Sequence, residues 1–405
     1  MRHVAILVET SRAYGRGLLR GIARYNRERG RWHTYFEPHG LDDPPPAWLR
    51  GWKGDGVIAR IDNRRMARAL LALGKPVVNL RGTVPGLPFP FLGADNEAVA
   101  RMGTDHLLER GFIHFGFCGF ARGYHPGLDH RGECFQRLIE AAGHRCGLYQ
   151  QPRSPGGRSR LENEHRRLAR WIRSLPKPVG IMAANDDRGL AVLNACRRIA
   201  VKVPYQVAVL GVDNDEYLCG LSIPMLSSID INSEETGYKA AALLDRMMSG
   251  RKPPRRMPEI RPSAVVARQS TDVLATDDRR VIQALEFIRQ NARRPISSRD
   301  VARFVGVSRA ALGPRFKSVT HRTVGQEIRR VRLDLAKDLL ARSNMPIKRI
   351  AIETGFSAVQ YLTRVFQAAT GQTPASFRRS QSGWHGMELS RESAAESPTP
   401  STCRS

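Results

Sequence analysis

Two stretches of the chain carry the same residue types at the same spacing, and the types are those that build a surface for nucleic acid. Ala302, Gly306 and Ser308 in VARFVGVSRAALGPRF recur 49 positions later as Ala351, Gly355 and Ser357 in IAIETGFSAVQYLTRVF; after one inserted residue, Leu312 and Phe316 recur as Leu362 and Phe366. In each copy a small residue lets two helices approach, a Gly four positions on permits a tight turn, a Ser caps the next helix, and a Leu/Phe pair at i and i+4 packs that helix down. This is the arithmetic of a helix-turn-helix, which offers one face of its second helix to a DNA groove. Local charge agrees: residues 273–382 hold 21 Lys and Arg against 8 Asp and Glu, a surplus that falls where phosphate contacts need it. In the first copy Ala310, Gly313 and Pro314 occupy groove-facing positions, where none of them can make a bidentate base contact. Pro also weakens a helix interior by about 3 kcal/mol, which predicts a kinked or shortened helix. That copy is expected to position the protein through phosphates, with Ser308, Arg309, Arg315 and Lys317 as candidates.

Between the copies, TVGQEIRRVRLDLAKDLLA opens with a capping box, Thr323 to Gln326, and carries Ile328, Val331, Leu335 and Leu339 along one stripe. About 18 residues at roughly 1.5 Å each give a strut of roughly 27 Å, long enough to address successive major grooves. In GQTPASFRR, Gly371 stops one helix and Thr373-Pro374 starts another. The segment from about 281 to 380 resembles the AraC/XylS-type transcription regulators, and GFSAVQYLTRVFQAATGQTPASFRR matches their C-terminal motif nearly position for position. The resemblance implies that the second recognition helix, entered at Ser357, presents Val359, Gln360 and Arg364 to the groove. Gln and Arg suit adenine and guanine edges.

The elements upstream are of another kind. From residue 3 to about 270, short apolar runs (HVAILV, WHTYFE, GVIARI, KPVVNL, HFGFCGF, VGIMAAN, QVAVLGVD, LSSIDI) alternate with helical patterns. That alternation predicts parallel strands covered by helices, arranged as two lobes with a ligand held beyond the strand ends. In DNEAVARMGTDHLLERG, for example, Val99, Met102, His106 and Leu107 share a helix face that Gly111 ends. The polar stretch 271–280 reads as a linker. From Gly383 on, the Ser, Pro and Glu content without periodicity predicts a disordered tail over 383–405. The expected fold class is thus an α/β two-lobed periplasmic-binding-protein-like domain (1–270) followed by an all-α double helix-turn-helix domain (281–382).

Residues 1–270 resemble the effector domain of LacI/GalR-type repressors in HLLERGFIHFGFCG, HRGECF, AANDDRGLAVLNA and VLGVDNDEY, in that order. Carried over residue by residue, Arg131, Asn185 and Asp213 match sugar-contacting positions, each at or just beyond a strand end. A carboxylate accepts from two hydroxyls, an Arg donates in a fork and an Asn does both, which together suit a polyol. This domain order makes the chain similar to regulators of xylose operons, so the resemblance implies a small sugar effector, xylose or a relative of it. Arg12, Arg16 and Arg60 also fall near the expected cleft, which opens the reading to an acidic or phosphorylated sugar. The implied partners are an operator in double-stranded DNA, a second copy of the chain as a homodimer, and RNA polymerase if the protein activates.

Composition bounds the alternatives. A length of 405 residues implies two or three domains, and a formal net charge of +27 favours nucleic acid as a partner. The cysteines, Cys118, Cys134, Cys146, Cys196, Cys219 and Cys403, make no C-x-x-C pair and no metal spacing, so reduced thiols in the cytoplasm are expected, with no cofactor. No run reaches eighteen apolar residues, and VAILV is too short for a signal peptide, so no membrane partner is expected. GRGLLRG, at 15–21, is a poor dinucleotide fingerprint, since seven residues separate it from the strand and its spacing is wrong. An oxidoreductase, or a cytosolic sugar-binding protein whose basic helical domain is an interaction module, is the rival reading; no catalytic constellation supports an enzyme.

Overall fold

Three of the four apolar runs in the first third of the chain are strands buried on both faces, as parallel sheets under helices require, and the other, His33–Phe36, is an exposed edge strand. In the computed structural model they are β1 (His3–Leu7), β2 (His33–Phe36), β3 (Gly56–Ala59) and β4 (Val77–Asn79), all parallel in the order β2-β1-β3-β4. The structure describes residues 1–30, 32–38, 40, 43–152, 158–255, 257–273, 275–276 and 278–382. The tail expected to be disordered, 383–405, and with it Cys403, lies outside the described residues. A second sheet joins β5 (His114–Gly119), β6 (Cys146–Gln150), β7 (Val179–Ala183), β8 (Val207–Val212), β9 (Ser227–Asp230) and β10 (Ala264–Val266) in the order β10-β9-β8-β7-β5-β6, with β10 antiparallel to β9. The apolar runs named in the sequence are all strands. β6 and β10 were not among them, because neither offers a long apolar run: only Tyr149 is buried in CGLYQ, and AVV is three residues long.

Helices cover both faces of each sheet. α1 (Ala13–Tyr25) and α2 (Arg64–Leu71) flank the first; α3 (Asn96–Leu108), α4 (Pro126–Ala141), α5 (Arg158–Ser174), α6 (Asp186–Arg198) and α7 (Glu216–Leu221) flank the second. α8 (Ser233–Met248) returns to the first lobe, where Ala240, Ala241 and Leu244 pack with Leu18 and Ile22 on Val4, Ile6 and Ile58. Each fully buried Leu or Ile there contributes about 1.5–3 kcal/mol. The chain therefore crosses between lobes after β4, after β9 and after α8. Two of these crossings pair through Asp95 N–H to Ile260 O (2.8 Å) and Ile260 N–H to Gly93 O (2.9 Å).

The chain divides into two compact units, the second beginning at Thr276. The segment 271–280, read as a linker, is tied down on either side of that division. Thr271 is fully buried in the first unit and Ala275 N–H donates to Arg110 O (2.8 Å), whereas Asp278 caps the first helix of the second.

That second unit contains α9 (Arg279–Asn291), α10 (Ser298–Val305), α11 (Arg309–Thr320), α12 (Val324–Arg342), α13 (Ile347–Glu353), α14 (Val359–Thr370) and α15 (Pro374–Ser382). The Thr323–Gln326 capping box is present and opens α12, 19 residues or about 28 Å long. Its stripe differs from the one expected. Ile328 and Val331 are buried, but Leu335 and Leu339 are only half-buried; Leu333, Ala336 and Leu340 are buried instead, against Ile350, Ala351, Phe356, Leu362 and Phe366. One helix serves two helix pairs in succession, so its buried face rotates along its length.

Candidate effector cleft and nucleic-acid interface

A cavity of about 520 Å³ lies beyond the carboxyl ends of both sheets, the position that open parallel sheets reserve for ligands. Its polar floor is built from residues that follow strands: Arg12 after β1, Arg60 after β3, Arg81 after β4, Asn185 after β7 and Asp213 after β8. Five of the six expected effector residues, Arg12, Arg60, Arg131, Asn185 and Asp213, line it. Arg16 does not. It sits one helical turn into α1, donates to Thr10 O (2.9 Å) and pairs with Asp215 (3.4 Å) at a smaller neighbouring cavity. Arg131 reaches the floor from within α4 rather than from a strand end; its Nε donates to Asn96 Oδ1 (3.0 Å) and a terminal nitrogen to Ala184 O. Asn185 caps α6 by accepting from Arg188 N–H (3.1 Å), and its amide donates to Asp187 (2.9 Å).

Electrostatics separate the arginines into two kinds: Arg131 donates to an amide oxygen and a carbonyl and has no carboxylate partner among the described residues, whereas the others are ion-paired. Arg12 pairs with Asp187, Arg60 with Glu9, Arg81 with Asp62 and Arg16 with Asp215. Each guanidinium expected to add positive charge is thus matched by a carboxylate. Asp213 makes no side-chain hydrogen bond to another described residue. Burial lifts its pKa to about 6, against the opposing pull of Arg131, Arg60 and Arg12. Beneath it Asp186, accepting from Ser228 Oγ (2.6 Å) and Asp215 N–H (2.7 Å), is raised by burial and by Asp213 to about 8. His125, at the start of α4, is lowered to about 3 by burial and the nearby arginines, so it faces the cavity as a neutral ring.

Asp213 sits at φ +106° and its neighbour Asn214 at +51°; a non-Gly residue in such a conformation costs of order 1–3 kcal/mol and persists where the surroundings hold it. What holds this loop leads away from the cleft. Asn214 N–H donates to Ser228 Oγ (3.0 Å), and Asn214 Oδ1 accepts from Arg268 (2.8 Å), which also donates to Leu226 O (3.0 Å). Next along the chain, Ser270 Oγ donates to Val209 O (2.6 Å) and Thr271 Oγ1 to Ser227 Oγ (2.7 Å), with His106 Nε2 2.9 Å away. Arg110 Nε donates to Thr271 O (2.9 Å) and accepts Ala275 N–H at its carbonyl. A continuous hydrogen-bonded path therefore runs from the cleft to the last residues of the first unit.

In the second unit, Gln360, Arg364 and Gln367 are exposed and line a shallow strip on α14 with Val359 and Thr363. The Arg364 guanidinium lies 5.5 Å from the centre of the Tyr361 ring, a cation–π contact that restrains it. In the other copy Ser308 caps α11 by accepting from Ala311 N–H (3.1 Å) and Arg309 and Lys317 are exposed, but Arg315 is tied to Asp278 (3.1 Å). Two expectations are corrected. Of the kink or shortening expected of α11, the shortening does not occur: the helix runs through Pro314 to Thr320, because Leu312 and Phe316 anchor one face while Pro314 lies on the exposed one, where the carbonyl it leaves free is open to solvent. Ser357 caps nothing. The inserted Ala358 occupies the N-cap of α14 and offers no side-chain acceptor.

Comparison with known proteins follows the same division. A model of the XylR N-terminal domain matches residues 3–86, one of the periplasmic binding protein-like domain residues 104–271, and one of the helix-turn-helix domain residues 301–380. Xylose operon regulatory proteins of Escherichia coli (strain K12) and Haemophilus influenzae are each 30% identical, over 388 and 384 residues, covering 93% of this chain and 97% of theirs. The chain belongs to the xylose operon regulatory protein family. A solved structure described as the xylose-binding transcription activator xylR superposes with a TM-score of 0.76 at 29% identity, over 94% of this chain and 98% of that one. As a member of the xylose operon regulatory protein family, the chain is a transcription regulator that joins a sugar-binding domain to an AraC-type DNA-binding domain. None of the described helices is long and apolar enough to cross a membrane, and no metal-ligand cluster occurs among the described residues.

Tyr14, Asn79, Arg81, His125 and Glu259 also line the cleft and were not singled out in the sequence. The strand-end rule would have found Asn79 and Arg81, which close and follow β4. Glu259 comes from a lobe crossing, which leaves no local signal. Thr363 and Gln367 could have been found by continuing the helical spacing from Gln360.

Proposed function

We propose that the chain is a D-xylose-responsive activator that works in the cytoplasm as a homodimer on two operator half-sites, engages RNA polymerase, and catalyses no reaction. The observation that carries the choice of effector is the pairing of the cleft arginines with carboxylates, with Asp213 left unbonded between Arg131 and Asn185. Such a floor favours a neutral polyol over an acidic or phosphorylated sugar, because Arg131, the cleft arginine without an ion pair among the described residues, acts together with the nearby Asp213 carboxylate, which would repel a sugar anion. Two hydroxyls donate to Asp213, Arg131 donates in a fork, and Asn185 does both. Gln360 and Arg364 read bases, and Arg309 and Lys317 hold phosphates.

Sugar held by both lobes favours their closed arrangement by its differential contacts. The signal leaves through the Asp213–Asn214 loop and Arg268, whose hydrogen bonds lead into the segment that ends at Ala275. Titration calorimetry with D-xylose and D-xylonate tests the effector. D-xylose binds and D-xylonate does not, and affinity falls as pH drops through about 6, where Asp213 takes up a proton and can no longer accept two hydroxyls. Tighter binding of D-xylonate would overturn the assignment.

A further inference from the structure

The cleft is larger than a pentose and is divided in chemistry. At a water molecule's full liquid share, roughly 30 Å³ per non-hydrogen atom, the roughly ten such atoms of a pentose occupy about 300 Å³ and the roughly nineteen of a two-ring oligomer about 570 Å³, so the 520 Å³ present is well above the first and close to the second. The charged groups that suit a pentose follow the strand ends. The outer half is mainly apolar, formed by Val84, Leu87, Phe89 and Phe91 on one lobe and Phe120 and Tyr124 on the other, with His130 and the exposed Glu259 also in the lining.

The aromatic rings in this outer half are held in place. Phe91 is 42% exposed, yet its ring lies over two glycines: a Cβ on Gly82 would come within 2.9 Å of Phe91 Cζ, and one on Gly93 within 2.5 Å. Its backbone is fixed by pairing with Asn79, whose carbonyl accepts from Leu92 N–H (3.0 Å). Tyr124, 47% exposed, stacks on Phe120 with ring centres 4.9 Å apart. A fixed, half-exposed aromatic surface on each lobe, at the mouth of a polar site, is a surface for the apolar face of a ring.

Building on the assignment of a xylose-type effector, we propose that this outer half is a second subsite, and that the preferred effector is a short xylose oligomer, with one ring on the polar floor and the next between the aromatic surfaces. The same geometry accepts an aryl group attached to the sugar, so the test separates the two.

Titration calorimetry of the full chain with D-xylose, xylobiose and phenyl xyloside decides it, alongside Phe91→Ala and Tyr124→Ala variants checked for unchanged melting temperature. The expected result is that xylobiose binds at least tenfold more tightly than D-xylose, about 1.4 kcal/mol. Each variant should remove most of that gain while leaving D-xylose within twofold. A gain for phenyl xyloside without one for xylobiose overturns the oligomer. Equal affinity for all three, or variants that weaken D-xylose as much as xylobiose, overturns the subsite while leaving xylose as the effector. Failure of all three to bind overturns both.

Discussion

The two helix-turn-helix copies share a framework and differ in what they place on its exposed face. In the first, α11 offers Ala310, Gly313 and Pro314, and one of its arginines is occupied by the cap of α9. At the same positions relative to the shared Leu and Phe, α14 offers Gln360, Thr363 and Arg364, all lining one strip. Anchoring and reading are thus separable duties of one motif. The buried Leu/Phe pair fixes where the helix lies, and the opposite face is free to carry base-reading groups or none.

The turns differ too, and there the largest effect is expected. Gly306 and Gly355 both sit in the left-handed region, at φ +73° and +79°. A Cβ on Gly306 meets nothing within 4 Å, whereas one on Gly355 would lie 2.3 Å from Ala292 O. Gly306→Ala should therefore cost about 1–2 kcal/mol for the backbone alone, and Gly355→Ala about 2–5 kcal/mol once the clash is added. Differential scanning calorimetry of the C-terminal unit's transition checks this; equal costs would mean that the second turn relaxes as freely as the first.

Next in size is the division of labour on DNA. Arg364→Ala should cost about 1–3 kcal/mol and relax specificity at one or two base pairs, while Arg309→Ala weakens all sequences alike and lowers the salt slope by about 1. Binding-site selection with both variants reverses the assignment if Arg309→Ala changes the preferred bases and Arg364→Ala does not. The smallest effect concerns the caps. Ser308→Ala should cost about 1 kcal/mol, whereas Ser357→Ala should stay within about 0.5 kcal/mol, because Ala358 holds the cap position in that copy. A loss at Ser357 equal to that at Ser308 would show the two helix starts to be equivalent.

The same contrast explains what the sequence made legible. Repeated residue types at a fixed offset reveal a framework, so both helix pairs, the capping box at Thr323 and the strut were readable. A one-residue insertion moves a cap without disturbing the Leu/Phe pair, and the fate of Ser357 was therefore hidden. Pro314 does not shorten α11, because local helix propensity is weaker than the burial of Leu312 and Phe316. In the sugar-binding unit, strands buried on both faces announced themselves as apolar runs, as did the exposed edge β2 through its aromatic residues, while β6 and β10 offered too short an apolar run to be seen. Arg12 and Arg60 could be placed because strand ends define the cleft, whereas Arg131, Asn185 and Asp213 were placed by the resemblance to LacI/GalR-type effector domains. Which arginine carries spare charge depends on partners as distant in sequence as Asp187 for Arg12, and no local pattern reports that pairing.

The central claim is that sugar in the cleft governs DNA binding in the other unit, and fluorescence anisotropy on a DNA site chosen by binding-site selection tests it most directly. In the wild type, saturating D-xylose should tighten DNA binding roughly 5- to 150-fold, a coupling of about 1–3 kcal/mol. In Asp213→Ala the shift should vanish while DNA binding without sugar is unchanged, and in Arg268→Ala D-xylose should bind yet shift DNA affinity less. A wild-type affinity indifferent to D-xylose, or an undiminished shift in Asp213→Ala, would contradict the account.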